Sequence, residues 1–276
     1  MNISVSMYED TAAFSDVAGE FLRSQPVHHN LILMRLDGRQ AVPGAGRYWV
    51  VMKGGQAAGV AIQTDPARFA MIVPMDRVST IALVDAIVDG GVVLPGVFGD
   101  VATAASFAGR WTERFKSAAT PTHGSRLYEL QELNAIGTVK GKHRKADESD
   151  RKLAEAWLKA FQTETLNPTG NIDRLVDGWL TEGQLWLWQD GEPVSMVVAQ
   201  KPIVEVARLS TVYTPPKKRR RGYAAACVHT ISKKLTEAGL HCILYTDLGN
   251  PTSNSIYRRM GYRAIAEGIH YRFNRT

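Results

Sequence analysis

Two hydrophobic periodicities divide the C-terminal half of the chain into predicted helices and strands. In residues 146–161, acidic and Ser residues precede apolar residues spaced four apart, which predicts an amphipathic helix with a capped N-terminus. In residues 184–200, two strand-like runs meet at Asp190-Gly191, a dipeptide that favours a β-hairpin turn. The pattern then predicts a strand, a helix, a strand, a short helix and a final strand or hairpin. These elements occupy residues 204–213, 224–235, 241–248, 250–260 and 262–273.

The N-terminal half shows a fainter version of this order. Its pattern predicts a hairpin around Gly54-Gly55, a strand, a helix, a second strand and a second helix. The repeated order is consistent with a degenerate internal repeat. These elements occupy residues 47–64, 69–75, 78–89, 92–100 and 101–115.

The chain is long enough for two domains. Its 276 residues exceed the usual size of one domain. Residues 117–125 have the composition of a linker, and residues 126–133 then alternate like a strand. We therefore predict two domains, residues 1–125 and residues 126–276.

The composition is that of a globular protein. With 45% apolar and 22% charged residues, the whole chain is expected to fold. Cys227 and Cys242 fall in a predicted helix and a predicted strand, which suits buried thiols in a reducing compartment. The N-terminus lacks the basic start and apolar core of a signal peptide, and no apolar run approaches the roughly 20 residues of a membrane span. We expect a soluble, cytoplasmic protein without a membrane partner.

Positive charge is concentrated in one loop. The chain carries 33 basic and 27 acidic side chains, a net charge of +6, and five consecutive basic residues occupy positions 217–221. Such a run is usually a solvated turn; it is also compatible with a nucleic-acid or nuclear-import patch, or with a cradle for a polyphosphate ligand. No nucleic-acid fold signature accompanies it, and the seven His residues show no metal-ligand spacing.

The position of the basic run favours phosphate binding. It lies between a predicted strand and a predicted helix, and the start of a helix offers unpaired N–H groups and a positive dipole. Gly222 allows a ligand to approach the backbone, and Ala224 and Ala225 leave the first helical turn uncluttered. The segment matches neither the G-x-x-x-x-G-K-[ST] phosphate loop nor the G-x-G-x-x-G dinucleotide fingerprint.

The loop resembles the acetyl-CoA loop of the GNAT superfamily of N-acetyltransferases. The family pattern R-x-x-G-x-G/A is matched by Arg219, Gly222 and Ala224. Downstream, the stretch NPTSNSIYRRMGY at residues 250–262 is similar to the family ending N-x-x-[SA]-x-x-x-Y-x-x-x-G-[FY]. In element order the resemblance covers residues 126–276.

The resemblance implies an α/β (α+β) fold with two GNAT-like domains, each a mixed, mostly antiparallel sheet flanked by helices. The C-terminal domain carries the acetyl-CoA loop. In the N-terminal half, Asp76-Arg77-Val78 follows the corresponding strand where a basic glycine loop would be needed, so that half is expected to have lost CoA binding. This organisation resembles double-domain members of the superfamily.

Carried over residue by residue, the resemblance also implies a site. Backbone groups of Val212 and Thr214 would pair with the pantetheine arm, and backbone amides of residues 220–225 would hold the pyrophosphate. The amide of Tyr213 or Val212 would polarise the thioester carbonyl. Tyr257 would be the general acid that protonates the departing CoA thiolate. The implied cofactor-binding residues are Val212, Tyr213, Thr214, Arg219, Arg220, Arg221, Gly222, Tyr223, Ala224, Ala225, Asn250 and Asn254.

The general base stays unassigned. Many family members carry a Glu on the strand before the loop, but the best-matching position here is Arg208 or Leu209. Glu205 lies farther back, and Asp247 closes the next strand. A water chain, or no base at all, is compatible with the pattern.

The function implied is transfer of an acyl group from acetyl-CoA, or another acyl-CoA, to a primary amine of a small molecule or peptide. No nucleic-acid partner and no metal are expected. Two alternatives stay open: a non-catalytic acyl-CoA sensor in which Tyr257 only packs, and a nucleic-acid-binding module that uses the basic run. For Asn250, which precedes Pro251, capping of a helix would be a sufficient role.

Overall fold

The computed structural model describes residues 2–37, 46–165 and 170–274. The chain forms two compact units. The first unit contains Met1–Leu127, Asp247–Gly249 and Ala264–Thr276, and the second contains Tyr128–Thr246 and Asn250–Arg263. The return of the C-terminus to the first unit is a feature that the sequence pattern did not predict.

The described residues form the following helices and strands in chain order. In the first half they are β1 (Ile3–Tyr8), α1 (Thr11–Ser24), α2 (Asn30–Leu36), β2 (Arg47–Lys53), β3 (Gln56–Gln63), β4 (Ala70–Ile72), α3 (Arg77–Asp89), β5 (Gly96–Asp100), α4 (Val101–Phe115) and β6 (Ala119–Leu130). In the second half they are β7 (Lys142–Lys145), α5 (Arg151–Thr165), α6 (Ile172–Thr181), β8 (Leu185–Asp190), β9 (Glu192–Ala199), β10 (Val206–Tyr213), α7 (Tyr223–Glu237), β11 (His241–Asp247), α8 (Pro251–Arg259) and β12 (Tyr262–Phe273).

The two halves have the same element order. Each runs strand, two helices, three strands, helix, strand, helix, strand. The predicted mixed α/β fold with helices beside a mostly antiparallel sheet is confirmed, and the repeated order agrees with the internal repeat expected from the sequence. None of the helices in the described residues is long and apolar enough to span a bilayer.

In the first unit the strands lie in the order β1-β2-β3-β4-β5-β12. The β4–β5 pair is parallel, and the β1–β2, β2–β3, β3–β4 and β5–β12 pairs are antiparallel. Helices α3 and α4 bury a core that includes Trp49, Leu83, Ile87, Phe107 and Trp111.

In the second unit the strands lie in the order β11-β10-β9-β8-β7, with the end of β6 beside β11. The β10–β11 pair is parallel, and the β9–β10, β8–β9 and β7–β8 pairs are antiparallel. Side chains alternate between two cores, because successive residues of a strand point to opposite faces. The core under α7 and α8 includes Tyr128, Leu209, Val228, Leu244 and Tyr257. The core under α5 and α6 includes Leu158, Val176, Leu187, Met196 and Tyr213.

Several predicted elements are confirmed and a few segments differ. A 3-10 turn, Glu148–Asp150, leads into α5 and carries the predicted cap: the Asp147 carboxylate accepts a hydrogen bond from the Ser149 amide within a capping box. The final segment is one strand, β12, and not a hairpin. The prediction of a linker at residues 117–125 is wrong, because residues 119–125 form the first half of β6. This half of the strand is polar because most of its side chains are exposed or half-buried, so it lacks an apolar alternation.

Candidate functional site

Strands β10 and β11 separate at the level where the predicted site begins. They pair in parallel from Val206 and His241 to Leu209 and Leu244. Beyond this point β10 continues to Tyr213 and keeps its pairing with β9. For the last residues of β10, the strand edge that faces away from β9 is therefore not paired with β11. Such an edge can accept an extended ligand as an added strand.

A β-bulge shapes the end of β10. Thr211 has a φ of 49°, and the register with β9 shifts between Ser210 and Tyr213. The extra residue reverses the alternation of side chains. Leu209 and Val212 thus both lie on the α7 side, and Tyr213 lies in the core under α5.

Hydroxyl groups fix the same strand end. The Thr214 hydroxyl donates to Ser195 Oγ at 2.9 Å, and the Ser195 hydroxyl donates to the Tyr213 carbonyl at 3.0 Å. Ser195 is fully buried on β9. Sequence reasoning did not single out Ser195, because a Ser in a hairpin strand carries no signal of a distant partner.

The basic loop leads directly into the start of α7, whose first amides lack intrahelical acceptors. The first intrahelical hydrogen bond of this end runs from the Ala226 amide to the Gly222 carbonyl, at 2.9 Å. The amides of Tyr223, Ala224 and Ala225 have no intrahelical acceptor, because the first turn of a helix offers none. Gly222 is the N-cap and supplies no side-chain acceptor. This arrangement suits an anionic ligand.

Glycine is required at position 222 by its backbone conformation. Its φ is 80°, in the left-handed region that L side chains rarely adopt. A Cβ there would also lie 3.1 Å from Cγ2 of Val139. Arg220 has a φ of 63°, so two residues of the loop have a left-handed backbone conformation before the helix begins.

Two of the five basic side chains are held by acidic partners. Lys218 Nζ lies 2.5 Å from a carboxylate oxygen of Glu192. Arg219 Nη2 lies 2.6 Å from Glu164 Oε2, and its Nε donates to the Thr214 carbonyl at 2.8 Å. The predicted phosphate ligand Arg219 thus closes the loop back onto the strand end.

The other three basic side chains, Lys217, Arg220 and Arg221, are exposed. In the described part of the chain none of the three has an ion pair. They are available to attract an anion to the loop.

Tyr223 ties the start of α7 to the β8–β9 turn. Its hydroxyl donates to Asp190 Oδ2 at 2.7 Å. This hydrogen bond, and then the charge of Lys140, holds the pKa of Asp190 below its usual range. The side chain of Tyr223 is therefore an anchor, and the predicted phosphate contact of this residue would come from its backbone amide.

Tyr257, the predicted general acid, is a buried residue of α8. Its ring meets the ring of Tyr262 edge-on at a centroid distance of 5.9 Å. Among the described residues its hydroxyl has no hydrogen-bond partner. Burial raises the pKa of Tyr257 well above its ordinary value, so the hydroxyl is protonated at neutral pH.

The two predicted Asn residues make internal hydrogen bonds. Asn250 caps α8 through Oδ1, which accepts from the Ser253 amide at 3.0 Å. Asn254 Oδ1 accepts from the Tyr128 hydroxyl at 3.0 Å and from the Thr246 hydroxyl at 2.8 Å. Both side chains therefore help to fix α8. Their place beside the pantetheine arm stays a prediction.

None of the four positions considered for a general base is a buried carboxylate beside the predicted site. Arg208 is half-buried on β10, and Leu209 is buried under α7. Glu205 is exposed and precedes the strand. Asp247 is exposed at the end of β11, and its Oδ1 accepts from the Gly249 amide at 2.7 Å. The base stays unassigned.

The corresponding helix of the first unit begins with a negative charge. Asp76 caps α3 by accepting from the Ser79 amide at 2.8 Å, and it forms an ion pair with Lys53 at 2.7 Å. The hydrogen bonds from Lys53 and from the Ser79 amide lower the pKa of Asp76 to about 2. A carboxylate at this place occupies the amides that a phosphate would need and repels anions.

We therefore expect one CoA per chain, bound by the second unit. Isothermal titration of the full chain with CoA measures the stoichiometry. Replacement of Asp76 by Asn should leave it unchanged, because the capping oxygen stays. A stoichiometry of two would contradict the expectation.

Both cysteines are inert core residues. Burial raises the pKa of Cys227 to about 12 and that of Cys242 to about 11. A thiolate is the reactive form, so at pH 8 the folded protein should react with an aromatic disulfide reagent at least about 100-fold more slowly than free cysteine. Denaturation should release both thiols at once. Fast reaction of either thiol in the folded protein would contradict this burial.

The described residues contain no cluster of three His, Cys, Asp or Glu side chains that could hold a metal ion.

Comparison with known proteins identifies the fold. Residues 194–271 match the family model described as FR47-like protein, and this range contains the basic loop and α8. No curated protein matches the chain. Among solved structures, the chain is similar to a GNAT-family acetyltransferase from Colwellia psychrerythraea, with 12% identity, 98% of this chain and 100% of that chain covered, and a TM-score of 0.66.

Two further solved structures are similar over nearly the whole chain. A GCN5-related N-acetyltransferase from Sphaerobacter thermophilus has 16% identity, 98% and 95% coverage of this and that chain, and a TM-score of 0.67. A tandem GNAT protein from the clavulanic acid biosynthesis pathway has 10% identity, 97% and 98% coverage, and a TM-score of 0.55. The resemblance to the GNAT superfamily inferred from the loop and α8 motifs is confirmed at the level of the fold.

Proposed function

We propose that this chain, which has the GNAT fold, is an acyltransferase that moves an acetyl group from acetyl-CoA to a primary amine. The observation that carries the proposal is the combination, in one unit, of an open β10 edge and an uncapped α7 start behind a basic loop. A CoA molecule has an extended pantetheine arm and a pyrophosphate, which are the two groups that these features suit.

The loop backbone would hold the pyrophosphate. The amides of residues 220–225 include those of the first turn of α7, which the helix leaves without acceptors. Lys217, Arg220 and Arg221 would add attraction at longer range. Backbone groups of Val212 and Thr214 would pair with the pantetheine arm along the free edge of β10.

The transfer would be direct. The neutral amine attacks the thioester carbonyl, a C–N bond forms, and the C–S bond breaks as the CoA thiolate departs. The proton of the Tyr257 hydroxyl passes to the sulfur, and the proton released by the amine passes to water or to a base not yet assigned. The amide of Tyr213 or Val212 would stabilise the negative charge that develops on the carbonyl oxygen.

Burial keeps the proton on Tyr257 that this role requires, and the same burial makes the phenol a weaker acid than a free tyrosine. An acid must hold its proton until the thiolate forms, and burial keeps the phenol neutral throughout the physiological range. The hydroxyl makes no internal hydrogen bond in the described residues, so it is available to a ligand.

The nucleic-acid alternative receives less support from the loop. Lys218 and Arg219 are neutralised by Glu192 and Glu164, which reduces the field that a phosphate backbone would meet. The acyl-CoA sensor shares the binding features of the enzyme and differs only in turnover.

Release of free thiol from acetyl-CoA in the presence of a panel of primary amines tests the proposal. We expect thiol release that depends on the amine, with acetylated amine as the product identified by mass. A sensor would bind acetyl-CoA without releasing thiol with any amine. The nucleic-acid alternative would instead show DNA affinity that falls steeply with salt.

A further inference from the structure

The amide of Asn254 is enclosed by partners from three segments of the second unit. Its Oδ1 accepts from Tyr128 on β6 at 3.0 Å and from Thr246 on β11 at 2.8 Å. Its Nδ2 donates to the carbonyl of Asn250, the residue that caps α8, at 2.7 Å. One side chain thus joins two strands to the first turn of the helix.

These bonds are formed away from water. Tyr128, Thr246 and Asn254 are all buried, with exposed fractions of 0%, 7% and 4%. Removal of one hydroxyl would take a hydrogen bond from a buried amide oxygen, which costs more than loss of the same bond at a surface. The junction therefore holds α8 in one place relative to both strands.

Helix α8 depends on such an anchor. It has only nine residues, and a helix of this length is marginal without tertiary contacts. Tyr257 lies three residues after Asn254, on the same face of the helix. Because the Tyr257 hydroxyl has no hydrogen bond to any residue that the structure describes, its place is set by the helix backbone and by ring packing.

We propose that Asn254, with the hydroxyls of Tyr128 and Thr246, is a positioning residue that fixes α8 so that Tyr257 points its hydroxyl at the departing sulfur. This role rests on the proposed acyl transfer. It differs from the cofactor contact that the family resemblance implies for Asn254, because the amide acts here through the helix and not on the ligand.

Loss of the Asn254 junction should change the pKa of Tyr257. A loosened α8 would admit water to the phenolate and reduce the burial that raises the pKa. The pKa of Tyr257 should then fall toward its ordinary value of about 10. A junction that only adds stability would lower the melting temperature and leave this pKa unchanged.

The test uses the full chain with Tyr128→Phe, Thr246→Val and the double variant. Thr246→Ser keeps the hydroxyl and should restore wild-type behaviour. Thr103→Val is the matched control, because the buried Thr103 hydroxyl bonds to Met75 in the first unit. The readouts are single-turnover transfer from acetyl-CoA, its pH dependence, CoA affinity, and NMR titration of ring-labelled tyrosines. The Tyr257 resonance is assigned by its loss in Tyr257→Phe.

We expect each single variant to slow the transfer step about 10-fold, in line with small misplacements of a catalytic group, while CoA affinity changes less than about 2-fold. The pKa of Tyr257 and the alkaline limb of the rate should both move to lower pH. Thr103→Val should change neither. Variants that fold but keep the wild-type rate and Tyr257 pKa would overturn the proposal, and so would a loss confined to CoA affinity.

A failure of the proposed acyl transfer can be distinguished from a failure of the positioning role. If wild-type protein releases no thiol with any amine, the proposed function fails. The NMR titration still reports whether Tyr128→Phe and Thr246→Val change the environment of Tyr257. An unchanged pKa in folded variants rejects the positioning role whatever the turnover result.

Discussion

Replacement of Gly222 by Val should weaken CoA binding by about 100-fold or more. The φ of 80° at this position would place a β-branched residue in a conformation that costs roughly 1–3 kcal/mol. Its Cβ would start 3.1 Å from Val139, and its methyl groups would stand beside the amides that face the phosphates. Strain in that range corresponds to about 5–150-fold in affinity if the loop must recover this shape to bind, and the blocked approach adds to it. Isothermal titration with CoA measures the effect.

A second glycine at the other end of the same helix provides a matched control. Gly239 has a φ of 77°, and a Cβ there would meet no atom within 4 Å. Gly239→Val should therefore cause a comparable loss of thermal stability and leave CoA affinity within about 2-fold. Unchanged CoA affinity in a folded Gly222→Val protein would show that the loop around residue 222 does not bind the CoA pyrophosphate.

Replacement of Tyr257 by Phe should slow acetyl transfer by about 100-fold or more, the usual contribution of a positioned acid. The hydroxyl makes no internal hydrogen bond in the described residues, so its removal leaves no buried partner unsatisfied. The ring keeps its edge contact with Tyr262 at 5.9 Å. CoA affinity and the melting temperature should therefore stay near the wild-type values. Single-turnover transfer beside a thermal melt makes the measurement.

Tyr48→Phe is the control for loss of a buried phenolic hydroxyl. Tyr48 is buried in the first unit, and its hydroxyl accepts from Thr11 at 3.1 Å. This variant should transfer at the wild-type rate even if it melts earlier. A wild-type rate in Tyr257→Phe would assign that side chain to packing alone and favour water as the proton donor.

Local signals account for the elements that the sequence predicted well. Asp190-Gly191 joins β8 to β9 as expected of this dipeptide, and the β-branched run in residues 206–213 forms β10. The start of α7 follows from Gly222, whose left-handed φ ends the loop. Each of these features depends on neighbouring residues only.

Other elements have no such local signal. Strand β7 reads KHRK, without an apolar residue, and exists because it pairs with β8. The predicted linker became half of β6 for a similar reason: a polar strand is held by its backbone and not by an apolar face. The placement of β12 beside β5 is a long-range pairing that periodicity does not encode.

The site divides in the same way. The basic loop and the α8 motif are visible in the sequence because each is a short contiguous pattern. The partners that decide what individual side chains do are distant in the chain: Glu164 lies 55 residues from Arg219, and Tyr128 lies 126 residues from Asn254. These contacts show that the side chains of Arg219 and Asn254 hold the loop and the helix, a role that the short patterns do not encode, and their contact with CoA stays a prediction.

The most direct measurement is a rapid-quench experiment with the full chain, acetyl-CoA and an amine that supports thiol release, analysed by mass spectrometry of both protein and small molecules. Direct transfer at this site predicts acetylated amine and free CoA in equal amounts, formed at the same rate, with no acetyl group on the protein at any time. An acetylated protein that forms and decays during turnover, or bound acetyl-CoA that no amine ever converts to product, would contradict the account.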